Sequence, residues 1–501
     1  MRVGARTVGN HSQASALRST IAALATLVTL AVLALPLARA DAPLAPRGAR
    51  RTLRASAADQ EAQLARALSA LLDERRAALG PARVGLAVIE VASGRILFAA
   101  HGADPFPAIG AGRLILGAAA LATLGPAHRF ATTVQLTGWD GVDTAAGLFV
   151  HGSDDPTLDL GALEDFADEL VLLGLRRLTG ETHVNRARLA TVPAALKPPP
   201  ALRHSTSADA MLLSVHAGAP TTPARITLLP PCPHVVLDNA VTSTTGGATA
   251  LRLVSHAGPD GLRLRVEGTI AAAAPPWFAT HASVDSARCL GALLVARLAA
   301  RGVAVAAGPI VAGPPPDDAR LIARRVSPPL AVLVRQHLHH GDRRLGSALA
   351  TALAAATPGT AATPGTAATV EHGLAATRLW LEVAGLAPST YRLTLRDALF
   401  GGDRFTPAQL AGLLAYGARD FRLASELAAA LAPAQVTAGR RTNMRWLRLT
   451  APEHPGAALA VGYATPPGQA PVAFALLLAG LPAGPAGVEL SDAVAALLSG
   501  D

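Results

Sequence analysis

Lysine occurs once in the 501 residues, at Lys197. Chemistry that needs a lysine amine as proton acceptor or Schiff-base partner must use that residue or is excluded. Lys197 stands in Lys-Pro-Pro-Pro, the setting of a solvated loop. A serine hydroxyl is a poor nucleophile until a neighbouring base takes its proton, and no serine lies between Ser93 and Ser153. His337, His339, His340 and Asp342 crowd one short stretch. A metal site needs three converging ligands and an open position. His337 and His340 share a helix face, but no distant carboxylate or thiol is an evident third partner, so the stretch reads as a solvated helix end. Asp154, Asp155 and Thr157, in Gly152-Ser-Asp-Asp-Pro-Thr-Leu158, read as turn-forming rather than metal-binding. Cys232 and Cys289 either pair in an oxidising compartment or stand as two buried thiols.

Composition narrows the alternatives. Half of the residues are apolar and only 16% are charged, which excludes wholesale disorder. Aromatic residues make up 3%, too few for a base-stacking RNA binder. Residues 1–40 read as a secretory signal: Arg2, Arg6 and Arg18, an apolar run from Ile21 to Leu35, Pro36, and Ala38-Arg39-Ala40 before Asp41. Those 40 residues hold four Arg and no acid, so cleavage lowers the net charge from +9 to +5, and no nucleic-acid partner is indicated. No stable membrane span is expected in the chain that remains.

The elements that must position any site follow from periodicity. Ser56 is expected to cap a helix through about Leu79, with Leu64, Leu68, Leu71 and Leu72 on one face. Val84 to Val91 and Arg95 to Phe98 form a hairpin about Ala92-Ser93-Gly94. A second apolar helix runs from about Gly112 to Leu124 and stops at Gly125-Pro126. Residues 137–282 change to short strand-like runs and read as an inserted, β-rich region. Helical periodicity returns at 287–300 and 327–355, and a tandem Ala-Thr-Pro-Gly-Thr-Ala repeat at 356–367 reads as a low-complexity loop. Strands are expected near 445–450, 457–464 and 471–479, then a helix from about Ser491 to Leu498. The order predicts a mixed α/β sheet assembled from both chain ends. The expected division is 1–40 signal peptide, 41–136 first part of the main domain, 137–282 insertion, and 283–501 second part.

Across nearly all of 80–500 the chain resembles the low-molecular-mass class C penicillin-binding proteins, which are D-alanyl-D-alanine carboxypeptidases and endopeptidases. The landmarks are Pro107-Ala108 before the second helix, Leu124-Gly-Pro126 after it, Gly152 to Leu158, Val235-Val-Leu-Asp-Asn239, Ser327-Pro-Pro-Leu-Ala331, Phe405-Thr-Pro407 and Ala458-Leu-Ala-Val-Gly-Tyr463. Each motif is weak alone; their order and spacing together are specific. The resemblance implies a transpeptidase/β-lactamase-like α/β domain, an antiparallel sheet flanked by helices and interrupted by a β-rich insertion. It also implies an extracytoplasmic, periplasmic setting, a cleft for the stem peptide of peptidoglycan, and no cofactor.

Proteins of that family acylate a serine that opens the helix, with a lysine one turn along the same face. Counting back from Leu124-Gly125-Pro126 puts the serine position on Gly110 and the lysine position on Arg113. Glycine has nothing to acylate, and an arginine keeps its proton. Counting on from Ser327 puts the family's Ser-x-Asn on Gly341-Asp342-Arg343, and the Ala-Glu pair usual just after it on Gly346-Ser347. Counting back from Gly462-Tyr463 puts Lys-Thr-Gly on Thr450-Ala451-Pro452; the looser alternative Arg441-Thr442-Asn443 also lacks lysine. The resemblance thus implies a scaffold without its acyl-serine chemistry. Arg113, Arg343 and Arg344 are the candidates for holding a carboxylate or phosphate in the cleft, or else they pair with local acids such as Asp342 and Asp403 and fill it. Three readings remain open: a non-catalytic binding or scaffold protein of the cell envelope, an interaction protein with a closed cleft, and a working carboxypeptidase with a different nucleophile.

Overall fold

The structure is a computed structural model. It describes residues 47–185, 210–258, 261–282, 286–306, 310–311, 313, 315–360, 368–394, 402–431, 445–450 and 456–500. The expected signal segment 1–40, Lys197, Arg441-Thr442-Asn443, Ala451 and Pro452 lie outside the described residues, as does the second half of the tandem repeat. The chain divides into two compact units, Met1–Asp59 and Gln60–Asp501. Of the first, only helical backbone is described.

The long helix Arg47–Leu79 (α1) leads into Arg83–Glu90 (β1) and Ile96–Ala100 (β2), and these into the helix Ala111–Leu124 (α2). Beyond residue 326 come Leu330–His340 (α3), Arg343–Ala356 (α4), Val370–Val383 (α5), Pro407–Arg419 (α6) and Ala424–Ala430 (α7). The strands Arg445–Thr450 (β3), Ala457–Ala464 (β4) and Val472–Ala479 (β5) and the helix Ala486–Ser499 (α8) follow. The five strands form one antiparallel sheet in the order β3-β4-β5-β1-β2. β1 pairs with β5 from Arg83↔Ala479 to Glu90↔Val472, so the sheet is built from both ends of the chain.

Alternation along these strands decides the layers. Leu86 and Val88 of β1, with Phe474, Leu476 and Leu478 of β5, join Leu64 and Leu68 of α1 and Leu490, Val494 and Leu498 of α8 in one core. The intervening Ala87, Ile89, Ala473, Ala475 and Leu477 face the other way, into a core shared with α2, α3, α4 and α6. A strand covered on both faces must be apolar throughout, and Val-Ala-Phe-Ala-Leu-Leu-Leu-Ala of β5 is. α2 is likewise buried on every side from Ala111 to Leu121, as a helix without a polar face must be.

A separate core lies in the segment between α2 and α3. Its five-stranded sheet has the order 310–311, 182–185, 147–152, 131–137, 320–326, so the strand that opens at Ala131 pairs with the one that ends at Val326. Helices Leu160–Leu172 and Ser286–Ala300 pack beside this sheet. Arg301 links to Glu164 at 2.7 Å and Asp168 at 2.6 Å, and Arg297 to Glu164 at 2.6 Å. Three three-stranded sheets complete the described part of the segment. In the turn Gly152–Leu158, Asp155 Oδ1 accepts from the Thr157 amide at 2.8 Å and its hydroxyl at 2.7 Å, which is the turn-forming role expected of it. Burial pushes the Asp155 carboxyl up despite these bonds.

Three expectations change, the simplest being that the closing helix starts at Ala486 rather than near Ser491. The first helix does not begin at Ser56: its backbone is already helical from Arg47, over a sequence rich in the strong helix formers Arg and Ala. The helical periodicity over 327–355 resolves into two helices about Gly341, which takes the left-handed conformation (φ 64°), after which Asp342 caps α4 by accepting from the amides of Arg344 (2.8 Å) and Leu345 (3.4 Å); the helix end expected there to be solvated is buried at His337.

The open question of the cysteines is resolved by topology. Cys232 and Cys289 are both buried, lie 5.3 Å apart between Cα atoms, and are joined as a disulfide across 57 residues. A crosslink of that span restricts the unfolded chain by about 2–4 kcal/mol. Reduction, or the double substitution Cys232→Ala with Cys289→Ala, is therefore expected to lower the stability of the inserted segment by that order, read as a fall in its unfolding midpoint. An unchanged midpoint on reduction would contradict it.

Candidate functional site

The fold brings together the three stretches on which the resemblance placed a site. α2 starts at Gly110, whose φ of 78° is a left-handed conformation that an L side chain adopts only under strain. A Cβ built there would stand 2.9 Å from Leu449 Cβ and 3.0 Å from Leu449 Cδ1. Leu449 belongs to β3 and is itself buried. The space in front of the helix start is therefore filled by an apolar side chain from the edge of the sheet, next to Thr450 in sequence.

The exposed amides at the start of a buried helix need acceptors. Asp403 supplies one. Its carboxylate accepts from the Gly112 amide at 3.2 Å, from the Thr394 amide at 2.9 Å and from the Thr394 hydroxyl at 3.3 Å, while its carbonyl accepts from Ala108 at 2.9 Å. Asp403 is 1% exposed. It is held there because Phe106–Pro107 and Arg404–Phe405 pair as a two-residue antiparallel ribbon, with Phe405 opposite Phe106.

One turn into α2, Arg113 is 3% exposed. Its Nη1 lies 3.5 Å from the carbonyl of Leu338, near the end of α3. His337, 1% exposed, sits beside it. The His337 Nδ1 is 3.3 Å from the Asp342 carbonyl, which can only accept, so Nδ1 carries the proton. Burial first, and the Arg113 guanidinium second, push His337 down to about 4, so the ring is neutral at ordinary pH. Gly346 makes room for it: a Cβ there would meet the ring at 2.8 Å.

The remaining candidates are placed as follows. Gly341 ends α3, Asp342 caps α4, and Arg343 opens α4, half-buried. Arg344 pairs with Asp342 at 3.2 Å. Thr450 closes β3, opposite Ala458. The neighbouring histidines do not converge: His339 Nε2 lies 3.1 Å from the Ala430 carbonyl, while His337 faces inward, and the described residues hold no group of three metal-ligand side chains. Distant in the sequence, Gly110 meets β3 and Arg113 meets the α3–α4 junction. Leu449 and His337 as contacts of these two positions are not apparent from spacing; the one available signal was the glycine itself, since a residue without a side chain marks a close approach.

Residues 64–439 match the sequence profile of the D-Ala-D-Ala carboxypeptidase 3 (S13) family. The chain belongs to that family. A D-alanyl-D-alanine carboxypeptidase of Actinomadura sp. (strain R39) is 27% identical over 383 residues, covering 72% of this chain and 68% of that protein. Among solved structures, penicillin-binding protein 4 (dacB) of Haemophilus influenzae superposes with a TM-score of 0.64 at 18% identity, over 85% of this chain and 98% of the other. The same protein complexed with a β-lactam gives 0.63 at 16% identity, over 86% and 99%. At these identities the two structures establish the fold, which is the transpeptidase/β-lactamase-like α/β architecture.

Two outcomes follow for this S13 chain. His337 binds a proton near pH 6.5 when unfolded but only near pH 4 when folded, so the unfolded state takes up more protons between these values. Stability is expected to fall as pH drops from 6.5 to 4 and to level below, by about 3 kcal/mol in all. His337→Asn should flatten that window in denaturant titrations, and an unchanged slope would refute the assignment. Gly110→Ser forces a side chain into both the left-handed conformation and the Leu449 contact, and is expected to cost about 1–3 kcal/mol, read by thermal unfolding.

Proposed function

We propose that this chain is an exported, non-catalytic homologue of the D-alanyl-D-alanine carboxypeptidases that serves as an interaction protein of the cell envelope with a closed cleft. The reading assigns the family's nucleophile position to Gly110, its lysine to Arg113, its Ser-x-Asn to Gly341-Asp342-Arg343 and its Lys-Thr-Gly to Thr450-Ala451-Pro452. The observation that carries it is the packing of Leu449 against Gly110. A substrate carbonyl would have to approach the start of α2, and that approach is taken by a leucine on one side and by Asp403 on the helix amides.

The arginines support the closed form. A residue that forks a ligand carboxylate must reach solvent in the free protein or sit in an open groove. Arg113 is buried against α3 and Arg344 is paired with Asp342, so the cationic substitutions favour filling over ligand capture. Nothing in the reading calls for a cofactor. The division at 41–136, 137–282 and 283–501 is retained as part of the proposal, with residues 1–40 as the export signal and the periplasm, where the family meets peptidoglycan, as the location. No helix among the described residues is long and apolar enough to cross a membrane.

The test is direct. The mature protein incubated with a fluorescent penicillin should give no stoichiometric covalent adduct, and a stem pentapeptide ending in D-Ala-D-Ala should release no D-alanine. An adduct, or release that survives repurification, would establish a working enzyme with another nucleophile and end the non-catalytic reading.

A further inference from the structure

A strand at the edge of a sheet carries main-chain donors and acceptors with no partner on its outer side, and such edges are blunted by shortness, bulges, charges or covering chain. These devices are visible on other edges of this chain. In the main sheet, β2 is five residues long and bulged against β1 at Val88 and Ile89, and β3 carries Arg445 and Arg448. In the five-stranded sheet of the inserted segment, Ile310–Val311 has two residues, and Arg320–Val326 is bulged and holds Arg320, Arg324 and Arg325. The edge Val235–Thr244 is covered, since the Ala224 amide donates to the Val241 carbonyl at 3.1 Å and the Thr221 amide to the Ser243 carbonyl at 2.8 Å.

The strand Ala250–Gly258 is the opposite edge of that last sheet, whose order is 235–244, 261–271, 250–258. It is nine residues long, has no proline, and pairs with its neighbour in an unbroken register from Ala250↔Thr269 to Gly258↔Gly261. Its arginine, Arg252, pairs with Glu267 of that neighbour at 3.7 Å. Ala250, Arg252 and Ser255 to Gly258 are exposed. Among the described residues no other segment makes a main-chain bond to its outer side. Leu251 and Leu253 lie on the face that carries Leu264 and Val266 of the neighbouring strand, and they pack, half-buried, on the core of the inserted segment. That core therefore runs out to an open strand.

We infer that this edge pairs antiparallel with the same strand of a second copy of the chain, across a twofold axis at Leu253. Residues directly opposite one another in such a pair share a face and interact. With the axis at Leu253, that leucine meets its own copy, Leu251 stands opposite Ser255, Arg252 opposite Val254, and Ala250 opposite His256. An axis at Arg252 would oppose two arginines, and one at Val254 would oppose Arg252 to His256. The register at Leu253 opposes no two basic side chains and joins the half-buried leucines of both copies into one apolar strip, continuous with both cores. A twofold contact needs a patch complementary to itself, and this strand supplies one. The inference is independent of whether the Gly110 region is catalytic.

Sedimentation equilibrium on the purified protein is expected to show monomer and dimer exchanging with a dissociation constant on the order of 10 µM, since a contact of one strand lies at the weak end of protein interfaces. Ser255→Lys places a charge opposite the partner's Leu251 and is expected to weaken the dimer at least about tenfold. Because Ser255 is exposed, the unfolding midpoint of that variant should be unchanged when measured below about 1 µM, where the chain is monomeric. Leu253→Cys should crosslink two copies through a disulfide under mild oxidation, because the two positions meet at the axis, whereas Ser255→Cys, which faces Leu251, should not. A chain that stays monomeric up to about 200 µM, some twentyfold above the expected constant, overturns the proposal. So does a dimer that Ser255→Lys leaves intact, or crosslinking of Ser255→Cys as readily as of Leu253→Cys.

Discussion

A buried helix start is a demand for hydrogen-bond acceptors, and here one carboxylate answers it. Asp403 takes the Gly112 amide and both groups of Thr394, and its main chain holds Ala108. Because α2 is buried on all sides, its first amides have no water to turn to, and an unmet amide in such a place costs about 1–3 kcal/mol. The contact ties residues nearly three hundred apart in sequence. It places α2 against the sheet, and so decides where Gly110 and Arg113 stand.

From that placement the rest of the centre follows. Gly110 comes so close to β3 that Leu449 occupies the volume a side chain would need. Arg113 is carried into the interior, where it reaches the Leu338 carbonyl and adds to the burial that holds the neighbouring His337 in its neutral form. The α3–α4 break adapts to the same crowding: Gly341 turns the chain, Asp342 restarts the helix, and Gly346 leaves room for the imidazole. Glycine and apolar packing are thus used where the family resemblance implies reactive groups.

Much of the fold was legible before any coordinate. The hairpin at 84–98, the helix ending at Gly125-Pro126 and the three closing strands appear within a residue or two of where period-two and period-3.6 patterns put them. These signals are local, and burial on one or both faces enforces them. The start of α1 was misplaced because a serine with cap chemistry also tolerates a helix interior. The helix end read at His337–Asp342 is where α3 stops, but it is not solvated throughout, since His337 is buried against α2 and α4, which no local pattern shows. In the site, the positions of Gly110, Arg113 and Gly341 came from counting along landmarks, whereas Leu449 gave no sign, being one leucine among alternating apolar residues of an edge strand.

Residue types alone determined that the chain has a single lysine, in a proline-rich stretch, and that no serine lies between Ser93 and Ser153. Only the tertiary structure decided that Cys232 meets Cys289, that Asp403 accepts from the start of α2, and that Arg113 is buried. The reason is range. Side-chain identity and periodicity are properties of neighbours in sequence, whereas burial and pairing depend on which distant segments the closed sheet presses together.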